Sequence, residues 1–366
     1  MEAYVYHLID KGLIPDFVLR PVIRALCHAR LRQINLGSFE ANHAAKMNWI
    51  QALRARDSIA DVTHKANEQH YEVSTKFILS CLGPYAKYSA CLYPTGNESL
   101  EEAEILMFES YCQKAQLKDG MHILDLGCGW GSLTVYLAQK YPASHIVGLS
   151  NSATQKVYID GVAKAKNLPN IEIITGDVNV YDFDSSVRFD RILSIEMFEH
   201  MKNYELLLRK VASWLRPYRS DDPDDSGPLL FVHIFCHKTT PYHFEESDGW
   251  MAQMFFAGGT MPSHDLLTYF QSDMTLIKSW YLSGQHYSRT LEDWLRRQDC
   301  NAKQGIVELE EDALSKGLAQ NKAERCFFGS GCFTLRVLNY STCAVVRNGA
   351  LVIISFDQKL FKVAIE

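Results

Sequence analysis

From Met121 onward the chain alternates between short apolar runs and longer segments whose apolar residues recur at helical spacing. The runs His122–Leu126, His145–Leu149, Ile171–Thr175, Phe189–Ile195 and Leu229–Phe235 predict strands. Between them, Leu133–Tyr141, Ala153–Lys166 and Tyr204–Leu215 predict helices. Strands alternating with helices imply a parallel, doubly wound sheet that receives its ligand at the C-terminal strand ends.

The flanks follow other rules. Residues 1–66 show only helical spacing, through Leu8, Leu13, Phe17, Val22, Ile23 and Leu26 and again through Trp49, Ile50 and Leu53. Arg20, Arg24, Arg30 and Arg32 make either a solvated face or, on a sharper reading, a membrane-surface helix. Residues 67–120 are mixed and end in a helix over Leu100–Gln116. The acid- and proline-rich stretch 217–228 predicts an exposed loop, and the aromatic-rich stretch 240–300 a cover over the site. The expected division is 1–66 helical, 67–120 cap and linker with substrate and cofactor contacts, 121–240 Rossmann-like core, 241–325 lid, and 326–366 tail.

A hydrophobic content of 47% can fill a core, and a net charge of −6 argues against a nucleic-acid partner. No apolar run approaches a membrane span, and no basic start precedes a long apolar core. The ten cysteines lack CxxC pairs, so reduced thiols in a cytoplasmic protein are expected, with no metal site.

The chemistry starts at Asp125-Leu126-Gly127-Cys128-Gly129-Trp130-Gly131, between the first strand and its helix. Gly127 and Gly129 remove Cβ atoms that would block a ligand, and the helix after Gly131 aims free N–H groups there. The spacing is not that of a dinucleotide turn; it fits a nucleoside without a pyrophosphate, and so S-adenosylmethionine. Asp125 would orient the loop and attract a cationic ligand. The second strand ends without an acid, leaving Asn151 and Gln155 for the ribose, with a helix cap as the other reading of Asn151. Asp177 and Val178 suit an adenine edge. After the fourth strand, Glu196, Glu199 and His200 would share a helical face. A carboxylate there can hold an ammonium and His200 can take its proton, so His200 is the expected base. Phe244, Trp250, Phe255, Phe256 and Trp280 are candidates for an aromatic wall.

The arrangement resembles the class I methyltransferase fold, and more closely the coclaurine N-methyltransferase family, a branch of the cyclopropane fatty acid synthase group. The match is carried by Glu68-Gln69-His70-Tyr71-Glu72, Lys87-Tyr88-Ser89-Ala90-Cys91-Leu92-Tyr93, the glycine turn, Gly148-Leu149-Ser150-Asn151-Ser152, and Ser194-Ile195-Glu196-Met197-Phe198-Glu199-His200-Met201-Lys202-Asn203-Tyr204. Phe231-Val232-His233-Ile234-Phe235-Cys236-His237-Lys238 and Gly258-Gly259-Thr260-Met261-Pro262-Ser263 extend it. The resemblance implies S-adenosylmethionine with contacts from Tyr88, Ser89 and Ile195, and Tyr71 and Glu72 in the substrate pocket. It implies N-methylation of a small amine, with a tetrahydroisoquinoline-like alkaloid as the suggested class, no stable membrane insertion, and a homodimer as the assembly considered. Cys91, Glu199 and His233 resemble the ligands of a bicarbonate base in the lipid-modifying branch, which keeps lipid C-methylation as an alternative. Beyond about residue 320 the family's Glu-Trp hairpin is missing, although Asn348-Gly349 reads as a hairpin turn between two closing strands. A cofactor-binding protein with impaired catalysis is therefore a second alternative.

Overall fold

The computed structural model describes residue 8 and residues 13–61, 74–218, 227–244, 258–315 and 349–358. Its centre is a sheet of β1 (His122–Leu126), β2 (His145–Ser150), β3 (Ile171–Thr175), β4 (Arg191–Ile195), β5 (Leu229–His237), β8 (Met274–Ser283) and β9 (Gly349–Gln358). The order is β3-β2-β1-β4-β5-β9-β8. The first five strands pair in parallel, whereas β9 runs antiparallel to both β5 and β8. Order reverses beside β1, which opens a crevice over the C-terminal ends of β1, β2 and β4. A two-stranded ribbon, β6 (Tyr242–His243) with β7 (Thr260–Met261), lies apart from this sheet.

Side-chain alternation along each strand builds the two layers. Leu124, Leu126, Leu230 and Val232 pack with Leu207, Leu208 and Val211 of α7 (Tyr204–Trp214) and with Ile50 and Leu53 of α2 (Phe39–Arg54). Ile123, Leu193 and Phe231 face the other way, toward α4 (Leu100–Lys114) and α5 (Ser132–Lys140). Ser99 and Glu102 close a reciprocal capping box that starts α4. α6 (Ala153–Ala165) covers β2 and β3. α8 (Gln285–Cys300) packs with α9 (Ala302–Ser315) and α3 (Thr75–Cys81).

Three expectations are corrected here. In α1 (Asp16–Ile34) only Ile23 and Cys27 are buried, against Leu295 of α8, while Leu13, Phe17, Val22 and Leu26 are exposed. Docking follows the narrower Ile23–Cys27 stripe, and Arg20 pairs with Glu292 at 3.3 Å instead of facing solvent alone. Second, Gly349 is not in a turn: it starts β9, opposite His237. Third, β8 emerges from a stretch expected only as a cover; Lys359–Ile365, the other closing strand, falls outside the described residues. Cys27, Cys81, Cys91, Cys112, Cys128, Cys236 and Cys300 are free thiols.

Candidate active site

A cleft in two halves runs over the strand ends, and Gly127, Gly129, Glu196 and His200 line both halves. The first, about 750 Å³, is walled by Ser150, Asn151, Gln155, Asp177, Val178 and, from the segment after α2, Ala60 and Asp61. The second, about 900 Å³, is walled by Tyr88, Ser89, Asp125, Ile195, Tyr287 and Trp294 among others.

The glycines at the junction act for different reasons. All three have left-handed backbone, with φ of +83° at Gly127, +53° at Gly129 and +74° at Gly131. A Cβ on Gly127 would strike Met197 at 2.7 Å, and one on Gly131 would strike Ile159 at 2.6 Å. A Cβ on Gly129 would meet open space. Both Gly127 and Gly129 line the cleft, but only at Gly129 does the Cβ position open on it, whereas Gly127 is held to glycine by packing on Met197 as well. Asp125 is buried and accepts from Thr134 Oγ1 at 2.7 Å, which ties β1 to the first turn of α5. Burial pushes its carboxyl up to about 6.

In the first half, Ser152 rather than Asn151 caps α6, accepting from the Gln155 N–H at 3.3 Å, so the cap reading of Asn151 gives way to its place on the cleft wall. Gln155 accepts from Ser150 Oγ at 2.6 Å through Oε1, while its buried Nε2 has no hydrogen-bond partner. A buried donor left over beside a cleft fits a ligand hydroxyl. Asp177 accepts from the Asn179 N–H at 2.8 Å. Asn179 in turn brackets Ala60, accepting its N–H at 2.9 Å and donating to its carbonyl at 3.1 Å. The contribution of Ala60 and Asp61 carries no local motif.

The second half holds the ionisable groups. Glu196 does not lie on a helical turn with Glu199 and His200: it has φ +49°, and a 3-10 turn covers only Phe198–His200. The left-handed residue turns Glu196 Oε1 toward the Ala90 N–H, which donates at 2.9 Å. Glu199 is fully buried, accepts from the Phe235 N–H at 2.7 Å through Oε1, and leaves Oε2 without a partner. Burial is the main cause raising both acids, Glu196 to about 7 and Glu199 well above the carboxylate range, and the Glu196 charge adds to the rise at Glu199. His233 is fully buried, its Nδ1 2.6 Å from Tyr111 Oη and its Nε2 4.0 Å from Glu196 Oε1. Cys91 is buried too, its thiol raised to about 12 by desolvation. Neither His233 nor Cys91 lines the described cleft. Tyr71 and Glu72 lie outside the described residues, as do Trp250, Phe255 and Phe256.

Of the expected aromatic wall, the two described residues, Phe244 and Trp280, do not line the cleft. Phe244 packs on Tyr242, and Trp280 packs among the core residues behind α4. Among the described residues the wall is Tyr88, stacked on Trp294 at 5.5 Å, with Tyr287 edge-on to Trp294 at 6.5 Å. Tyr287 and Trp294 lie seven residues apart on α8, a core-like spacing with nothing in it to mark a ligand wall.

Sheet order, glycine turn and polar cleft together define a class I S-adenosylmethionine-dependent methyltransferase. The family model described as mycolic acid cyclopropane synthetase matches residues 59–318, and within that group the chain belongs to the coclaurine N-methyltransferase family. It is 40% identical over 309 residues to (S)-coclaurine N-methyltransferase of Thalictrum flavum subsp. glaucum, covering 82% of each chain. It is 36% identical to the enzyme of the same name from Papaver somniferum, over 82% of this chain and 83% of that one. A crystal structure of coclaurine N-methyltransferase bound to N-methylheliamine and S-adenosylhomocysteine superposes with a TM-score of 0.88 at 32% identity, over 97% of this chain and 99% of that one.

Proposed function

We propose that this enzyme methylates the nitrogen of a small alkaloid amine of the tetrahydroisoquinoline kind. One observation supports this most: the nearly buried side chain of Glu196, together with His200, lines the junction of the two cleft halves, beside the wall formed by Tyr88, Tyr287 and Trp294. When bound, S-adenosylmethionine supplies an electrophilic methyl on a sulfonium. Asn151, Gln155 and Asp177 hold the adenosine portion, with the spare Gln155 N–H given to a ribose hydroxyl. Tyr88, Ser89 and Ile195 flank the methionine portion. Glu196 anchors the ammonium form of the amine, and the aromatic faces favour the same cation while excluding water. His200 accepts the proton that frees the nitrogen lone pair; the N–C bond then forms as the S–C bond breaks. Glu199, held protonated by burial and by the Glu196 charge, adds no second negative charge beside Glu196, and its Oε2 is a buried polar atom without a partner.

The free thiols among the described residues fit a cytoplasmic location, and cell fractionation tests it. Incubation with methyl-labelled cofactor tests the reaction. A gain of one methyl on secondary or tertiary amines is the expected result. Label confined to a lipid extract would support the lipid branch instead, and binding without transfer would mean a chain that has lost turnover.

A further inference from the structure

Lys87 is nearly fully buried, yet among the described residues its ammonium forms no ion pair in hydrogen-bonding contact. It donates to Ser89 Oγ and, at 2.7 Å, to the Ala90 carbonyl, and lies 5.9 and 5.5 Å from the Phe108 and Tyr111 ring centroids. Its own N–H is held by Glu104 Oε1 at 3.2 Å, and Glu104 Oε2 takes the Tyr85 N–H at 3.2 Å. Glu104 fits there because residue 83 is glycine: a Cβ would strike the carboxylate. The Ala90 N–H, in the turn that Lys87 draws together, is the donor to Glu196 at 2.9 Å. The peptide after it is held on the opposite side, its Cys91 N–H donating to Thr290 Oγ1 of α8 at 2.9 Å.

We propose that Lys87 is a positioning residue for methyl transfer: it curls Ser89–Cys91 so that the Ala90 N–H meets Glu196, and it places a buried ammonium on the same side of that carboxyl. The proposal rests on the amine-methylation reading for its kinetic arm and is independent of it for its spectroscopic arm. The groups facing this ammonium are Glu104 and Tyr111 from α4, Cys91 from its own turn, Glu196 after β4 and His233 from β5, with Lys114 facing His233, and Glu199 and Tyr287 facing Glu196. Among the causes acting on the Glu196 carboxyl, the ammonium is the first that opposes burial. An uncompensated carboxylate at such a site would protonate instead of holding a cation.

The test is Lys87→Met, with Glu196→Gln and the double variant. Lys87→Met should lower kcat about 10- to 100-fold, the scale of a misplaced reacting geometry, and move the acid limb of the kcat profile to higher pH. Its losses should not multiply with those of Glu196→Gln, since both act through one carboxylate. Adenosine affinity should change only a few-fold, because the adenosine half of the cleft is untouched; that binding also shows the variant is folded. Infrared titration of the protonated carboxyl band, assigned by its loss in Glu196→Gln, needs no turnover. The band should persist to higher pH in Lys87→Met. A band and a limb that stay in place, or losses that multiply, would overturn the proposal whatever the amine. If no amine is methylated while the band shifts as stated, the positioning role stands and the substrate reading falls.

Discussion

Three glycines in one loop allow a controlled experiment, because all have positive φ and only at Gly129 would an added Cβ meet open space. Replacing any of them by alanine costs about 1–2 kcal/mol for left-handed backbone, so that strain is common to the series. In Gly127→Ala and Gly131→Ala the new methyl also strikes Met197 or Ile159, adding about 1–3 kcal/mol of overpacking. In Gly129→Ala the methyl enters open space and adds nothing to the apoprotein's cost. It does occupy the volume a nucleoside needs. A ligand displaced far enough to lose two hydrogen bonds, at about 1–1.5 kcal/mol each, binds about 100-fold more weakly. Thermal melts should therefore rank Gly129→Ala nearest the parent, while calorimetric titration with S-adenosylhomocysteine ranks it worst. Gly127→Ala and Gly131→Ala should show the reverse, a larger drop in Tm with binding retained by the folded fraction. Unchanged affinity in Gly129→Ala would refute the argument and make the junction glycines purely structural.

His200→Ala should lower kcat by roughly 10²–10⁴-fold, the usual worth of a general base, with S-adenosylhomocysteine affinity nearly intact; a near-normal rate would remove the assignment. Because burial pushes the Glu196 carboxyl up to about 7, an amine anchored by its ionised form should turn over faster as pH rises through 7, and Glu196→Gln should be slow and lack that limb. Stability should run the other way. Asp125, Glu104 and Glu196 are raised to about 6, 7 and 7, so their contribution is present below pH 4 and is lost as pH climbs through those values. Part of the fall in Tm of the unliganded protein between pH 5 and 8 should accordingly disappear in Asp125→Asn, measured by calorimetry at fixed ionic strength.

What could be read from the residues was what local patterning controls. β1 and β3 fall on the expected residues because an apolar run, closed by a turn, has one way to enter a parallel sheet. β8 could not be read so: Thr275, Ile277, Lys278, Ser279, Tyr281 and Ser283 are all exposed, and an edge strand with one sheltered face shows no clean alternation. The Gln155 position was legible because it stands one turn beyond the strand end; its spare N–H was not, since that depends on Ser150 taking the other half of the amide. Glu196 was found by residue type, but its left-handed backbone is imposed by contacts that include Ala90, far away in the chain. Tyr287 and Trp294 look like core positions on a helix until the Tyr88 loop folds beneath them.

The tail gives the clearest case of structure set by distant pairing, and it links stability to the site. The family's Glu-Trp hairpin is absent, yet Gly349–Asp357 pairs residue for residue with Leu229–His237 and bridges β5 to β8. A ladder of this kind uses backbone groups, which any sequence of strand propensity supplies, so a divergent segment can still close the sheet. β5 is also the strand whose Phe235 N–H holds Glu199 and whose His233 stands 4.0 Å from Glu196. Opposite them on β9 are Leu351 and Ile353. Removing residues 326–366 should therefore strip the ladder from β5, leaving its unpaired edge as a template for aggregation and lowering Tm clearly. If some of the shortened chain stays soluble, it should keep much of its S-adenosylhomocysteine affinity, because β1, β2 and β3 carry the adenosine half of the cleft. Its turnover should fall further than its affinity, because the shift at β5 loosens Glu199. A shortened protein with unchanged melting temperature and rate would show that β5 needs no partner on that side, and the account of the tail would be wrong.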